Sequence, residues 1–257
     1  MKIRRLTVSG RCLDKQGPLA RISLVVDHLL TIHKEVAWAS MTKSVLCYGD
    51  SNTFGAAVVP RPDGRYAYEE RWPGVLAAIL GPRWQVIEAG LNGRTTVRDD
   101  PVEGEFRNGK TYLLPCLYSH QPLDVVAIML GTNDLKARFN VTAWDVAEGV
   151  GTLVNITLAA AVGRDGGNPE ILVIAPPPFL KKLPMHAELF TGAHEKSLQL
   201  AERFAALAKH LGVHFFDAGL AAKSSKVDGF HLDPGEHLAL GRAIAKQIQL
   251  ISPDSPH

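Results

Sequence analysis

The sequence predicts an α/β protein in three layers, with helices on both faces of a five-stranded parallel sheet. Two observations predict it. Five short apolar runs, rich in β-branched or aromatic residues, are each closed by Gly, Pro or Asn, as strands buried on both faces are. Stretches with helical periodicity separate them.

Taken in order, the first run is SVLCY at 44–48, which ends at Gly49. The segment 55–70 lacks periodicity and reads as a loop, and a helix follows over 73–80. The second strand is WQVIEA at 84–89, and 98–118 again reads as loop. The third strand is LDVVAIML at 123–130, followed by a helix over about 142–161. The fourth, EILVIA at 170–175, is stopped by Pro176, Pro177 and Pro178. A helix over 192–211, the strand VHFFDA at 213–218 and a helix over 235–250 complete the pattern. Long loops in such a domain usually shape a site.

Residues 1–40 form an extension with three readings: a true extension, a weak signal peptide, or upstream sequence read from a start codon placed too early. The last is preferred, because Asp27 and His28 interrupt the would-be apolar core and Met41 directly precedes the first strand. Residues 41–257 are expected to be one domain.

Composition narrows the function. Hydrophobic residues are 46% of the 257, charged residues 21%, and the formal net charge is +2. That balance gives no field for nucleic acid or an anionic membrane. No apolar stretch approaches the roughly 18–20 residues of a membrane span. Cys12, Cys47 and Cys116 are too scattered for a disulfide framework or a Cys-x-x-Cys metal site, so the cytoplasm is the expected compartment.

Ligands in open α/β sheets bind outside the carboxyl ends of the strands. GDSN with Ser51 follows the first strand and GLNGRTT with Asn92, Gly93 and Arg94 the second. GTND with Asn133 and Asp134 follows the third, and VDGFHLDPGEH with Asp228 and His231 the fifth. These are the parts of acyl transfer. Ser51 needs a base to take its proton, and a histidine is matched to that work near neutral pH. Asp228, three residues before His231, reaches the same face of a tight turn and holds the imidazole in one tautomer. The N–H of Ser51, the N–H of Gly93 and the side-chain amide of Asn133 are the candidate oxyanion donors. No metal or cofactor is called for.

The neighbouring residues read as structural. Asp50 is expected to accept backbone N–H groups and Asp134 to cap or anchor backbone. Arg94 is expected in an ion pair, and His237 exposed on the last helix. His120, His186, His194 and His214 show no metal-ligand spacing, and the places of Trp72 and Trp144 are open. The Gly-x-Ser-x-Gly elbow of α/β-hydrolases is excluded, because Thr53 stands where its second glycine belongs.

From about Val45 to His237, the blocks GDSN, NGRTT, LGTND and DGFH resemble the SGNH (GDSL-like) hydrolase family, in its order. The resemblance implies a flavodoxin-like fold and ester hydrolysis through an acyl-enzyme. RWPGVL, EAGLNGRTT, DDP, NGKTYL, IMLGTNDLK and FFDAG are similar to the bacterial arylesterase/acyltransferase and carbohydrate acetylesterase subgroup. That implies short, acetyl-type esters of aryl, alkyl or carbohydrate alcohols, acyl transfer to alcohols, and a homo-oligomer. Two alternatives are a long-chain thioesterase or lysophospholipase of the same fold, and a carbohydrate- or acyl-binding protein without turnover.

Overall fold

The structure, a computed structural model, describes Thr42–Pro253. The extension expected over residues 1–40 lies outside the described residues. From Lys43 onward the chain groups as one compact unit. Its centre is a five-stranded, wholly parallel sheet of order β2-β1-β3-β4-β5. The strands are β1 (Lys43–Gly49), β2 (Trp84–Gly90), β3 (Val125–Met129), β4 (Glu170–Ala175) and β5 (His214–Asp217). Six α-helices accompany them among the described residues: α1 (Ser51–Phe54), α2 (Trp72–Leu80), α3 (Gly109–His120), α4 (Ala143–Ala160), α5 (Ala193–Leu211) and α6 (Pro234–Ile251).

The period-2 geometry of a strand divides the apolar runs between two cores. On one face Leu46, Tyr48, Val126, Ile128 and Val173 meet α3, α4 and α5. On the other, Val45, Cys47, Val125, Ala127 and Ile174 meet Trp72 and Leu76 of α2 and Leu240 and Ile244 of α6. Both faces are dry, which is why the strands read as unbroken apolar runs. No helix among the described residues is long and apolar enough to cross a membrane.

The segment 98–118, expected to be loop, contains most of α3. Asn108 caps it by accepting from the Lys110 N–H at 2.9 Å. Its apolar residues surround the axis: Leu113, Cys116 and Leu117 are buried while Tyr112, Leu114 and Tyr118 are exposed. That distribution erases the helical period, and Pro115 within the helix disguises it further. Trp72 is buried in the core and Trp144 is exposed.

Parallel pairing in register brings Gly49, Gly90 and Met129 level at one edge of the sheet. Gly49 and Gly90 let α1 settle onto that edge. A Cβ at Gly49 would strike Thr53 Oγ1, and one at Gly90 would strike the Phe54 backbone nitrogen. The first turn after β1 is thereby pressed against the ends of its two neighbours.

Candidate active site

Ser51 opens α1. Asp50 caps that helix, its Oδ1 accepting from the Asn52 N–H at 2.9 Å, while its carbonyl accepts from the N–H groups of Thr53 and Phe54. This is the backbone-anchoring role expected of Asp50. Burial raises the Asp50 pKa, against the opposing pull of the Asn52 amide and of His231. The Asn52 side chain, which sequence reasoning passed over, donates to the Phe230 carbonyl at 3.1 Å. It ties the serine turn to the loop that carries the histidine.

That loop lies between β5 and α6. Asp228 Oδ1 accepts from the N–H groups of Phe230 and His231, each at 3.0 Å, folding the chain into a tight turn. The spacing of three thus acts through a carboxylate-capped turn. Asp228 Oδ2 then lies 2.6 Å from His231 Nδ1, and His231 Nε2 lies 2.9 Å from Ser51 Oγ. A carboxylate acceptor at Nδ1 holds the ring proton there and leaves the Nε2 lone pair facing the serine hydroxyl. Burial of Asp228 would raise its pKa, but the His231 contact and the two amides outweigh burial and lower it. The Phe230 ring centroid sits 4.3 Å from that of His231, backed by Phe179 and Phe190.

Gly93 and Asn133 line the same pocket as Ser51 and His231. Gly93 has φ +76°, a left-handed conformation that glycine adopts without strain. Among the described residues, the N–H groups of Ser51 and Gly93 donate to no protein acceptor. Asn133 Nδ2 donates to the Arg94 carbonyl at 3.1 Å and, at a longer 3.4 Å, to Asp50 Oδ2. Asp134 accepts from the Thr96 amide and, at 2.5 Å, from its hydroxyl, which is the backbone anchor expected of it. Burial pushes its carboxyl up to about 6.

Arg94 makes no carboxylate ion pair among the described residues, contrary to expectation. Its buried Nη1 donates to the carbonyls of Gly49, at 2.8 Å, and Ala89, and its guanidinium lies 4.3 Å from the Tyr48 ring centroid. Backbone carbonyls at two strand ends and an aromatic face replace the acid. His237, expected exposed, is fully buried. It lies in the first turn of α6, where its Nδ1 accepts from the Trp72 N–H at 3.4 Å and its ring meets Tyr66 edge-on.

The pocket is small, about 210 Å³. One wall is aromatic, with Phe190 and Phe230; another carries charge, with Glu103 and Lys136. No group of three or more His, Cys, Asp or Glu among the described residues could hold a metal ion.

The sequence from 47 to 238 matches the GDSL-like lipase/acylhydrolase family. Comparison with curated proteins gave no match. Among solved structures, a carbohydrate acetylesterase from Sinorhizobium meliloti is 43% identical over 81% of this chain and 99% of its own, with a TM-score of 0.76. The aryl esterase of M. smegmatis shares 43% identity with the same coverage and a TM-score of 0.75. The putative arylesterase of Agrobacterium tumefaciens str. C58 shares 40% over 81% and 99%, with a TM-score of 0.74. A family match across most of the sequence, and this level of identity along nearly the whole of these structures, carry one conclusion: the chain belongs to the GDSL-like lipase/acylhydrolase family.

Proposed function

We propose that the protein is a serine esterase that cleaves esters of small acyl groups, acetyl above all, through an acyl-enzyme. The observation that carries this reading is the hydrogen-bonded series Asp228–His231–Ser51, with its serine end in a pocket of about 210 Å³. Ser51 Oγ attacks the ester carbonyl as His231 Nε2 takes its proton. Asp228 holds the imidazolium that forms. His231 then returns the proton to the leaving alcohol, and water, activated the same way, frees the acid.

The oxyanion that forms on attack has two unengaged amide donors near it, those of Ser51 and Gly93. Asn133 supplies a third by giving up its long contact to Asp50. Losing one such donor typically costs about 10²–10³ in rate. The name of one similar structure, a carbohydrate acetylesterase, supports the short acyl group. So does the pocket, which falls below the roughly 300–1,000 Å³ of sites for larger ligands. A long-chain thioesterase would need an apolar trough in place of the charged wall. Acyl transfer to alcohols belongs to the same reading, since a second alcohol can replace water at the acyl-enzyme.

The test is hydrolysis of p-nitrophenyl esters from acetate to palmitate by wild type and Ser51→Ala. Acetate is expected to be fastest, with rates falling as the chain lengthens and no turnover above background in the variant. A preference for palmitate would move the substrate to long acyl chains. Equal rates in the two proteins would remove Ser51 as nucleophile.

A further inference from the structure

The charged wall of the pocket has no part in the chemistry above. Lys136, on the turn after β3, is buried, with its side chain 2% exposed. Its Nζ lies 3.0 Å from Asp100 Oδ2 and 2.6 Å from Glu103 Oε1. Arg138 closes the group, with Nη1 2.8 Å from Asp100 Oδ1 and Nη2 3.7 Å from Glu103 Oε1. Two carboxylates and two cations leave the cluster formally neutral. Asp100, fully buried, also accepts the amides of Val102 and Glu103. The loop that carries Glu103 is therefore pinned by its own backbone.

Glu103 differs from Asp100. Its side chain is 31% exposed and lines the pocket, and only Oε1 is engaged. Among the described residues its Oε2 accepts no hydrogen bond. That oxygen lies against Gly93, 2.7 Å from where a Cβ on it would stand, with Arg107 Nη1 3.3 Å from the same point. A carboxylate fixed at one oxygen by a buried ammonium, and open at the other, is a preset acceptor. A lone negative charge there would oppose an oxyanion. Lys136 and Arg138 offset it, so the acceptor is kept without that penalty.

We infer that Glu103 forms a hydroxyl-binding subsite beside the reacting ester, so that the preferred substrates are acetyl-type esters of polyhydroxylated alcohols, with Glu103 Oε2 accepting an O–H of the alcohol portion. Lys136 is the positioning residue that holds the carboxylate in place. The inference rests on the serine-esterase reading and deepens it. It distinguishes polyol esters, which carry a donor for this oxygen, from plain aryl and alkyl esters, which do not.

The test compares glycerol 1-monoacetate with propyl acetate. The two share the acyl group and alcohol chain length and differ in hydroxyls. The ratio of kcat/KM for the two esters is measured with the full chain. Wild type is expected to favour the monoacetate. Glu103→Ala is expected to lower the ratio about tenfold or more, the loss of a hydrogen bond to a charged group, chiefly by raising KM for the monoacetate. Glu103→Gln keeps an oxygen for Lys136 and is expected to lower the ratio in the same direction; it serves should the alanine variant not fold. A ratio unchanged within about twofold, with turnover of both esters retained, overturns the subsite alone. Turnover of neither ester by wild type overturns the esterase reading together with the subsite.

Discussion

At the scale of the residue, the site depends on which ring nitrogen of His231 carries the proton. Asp228 Oδ1 is occupied by the amides of Phe230 and His231, and Oδ2 by His231 Nδ1. In Asp228→Asn the amide oxygen retains the two backbone N–H groups, so the turn persists. The NH₂ then faces Nδ1 and drives the ring proton to Nε2, where it blocks acceptance from Ser51. The expected outcome is a fall in kcat on p-nitrophenyl acetate of about 10⁴, with a melting temperature close to wild type. A kcat within threefold of wild type would mean that Asp228 only shapes the loop. Ser51 was legible in the sequence because it directly follows a strand, and Asp228 and His231 because they stand three apart in one short block between the last strand and the last helix. Glu103 and Lys136 were not. They stand 33 positions apart in chain, each reads as an ordinary surface charge, and only folding makes them a pair.

At the scale of the element, five strands could be read because burial on both faces leaves an apolar run that needs no partner to be recognised. Helix α3 could not, since its apolar residues encircle the axis, and Arg94 was misjudged for a related reason. A buried guanidinium calls for acceptors, and sequence suggests carboxylates, whereas the ends of β1 and β2 supply carbonyls that no side-chain pattern announces. Arg94 joins Gly49, two residues before Ser51, to Ala89 at the end of β2, and its own carbonyl accepts from Asn133. It thus ties together the three strand ends that carry Ser51, Gly93 and Asn133. Arg94→Met keeps the bulk over Tyr48 but takes the guanidinium donor from both carbonyls, leaving that of Gly49 with the Leu91 N–H at 3.1 Å. Urea denaturation should show a loss of about 1–3 kcal/mol. Turnover of p-nitrophenyl acetate should fall further than the unfolded fraction accounts for. Full activity in the folded variant would show that the strand ends hold their register without this tie.

At the scale of the whole molecule, α2 and α6 cover one face of the sheet, and His237 sits between them with no solvent contact. Burial comes first in pushing its pKa down, to about 3, with the charges of His231 and Arg71 adding to it. The groups facing it are the Trp72 N–H and the Tyr66 ring, and neither compensates a cation. An exposed histidine in the unfolded chain titrates near 6.5, so between about 6.5 and 3 the unfolded state binds the extra proton and stability falls as pH falls. From pH 7 to pH 5 this one group should remove about 2 kcal/mol. Asp134 acts the other way. Its carboxyl, raised to about 6, contributes stability that is present below the usual aspartate value and lost as pH climbs through 6. The wild-type profile is therefore a sum, and a variant separates the parts. His237→Asn keeps an acceptor for the Trp72 N–H and removes the titration. The stability from urea denaturation at pH 5, relative to that at pH 7, should rise in the variant by about the 2 kcal/mol assigned to His237, leaving the opposite trend of Asp134 uncovered. Equal pH slopes in wild type and variant would mean that the buried ring takes up its proton without cost to the fold, and that acid sensitivity originates elsewhere in the sheet.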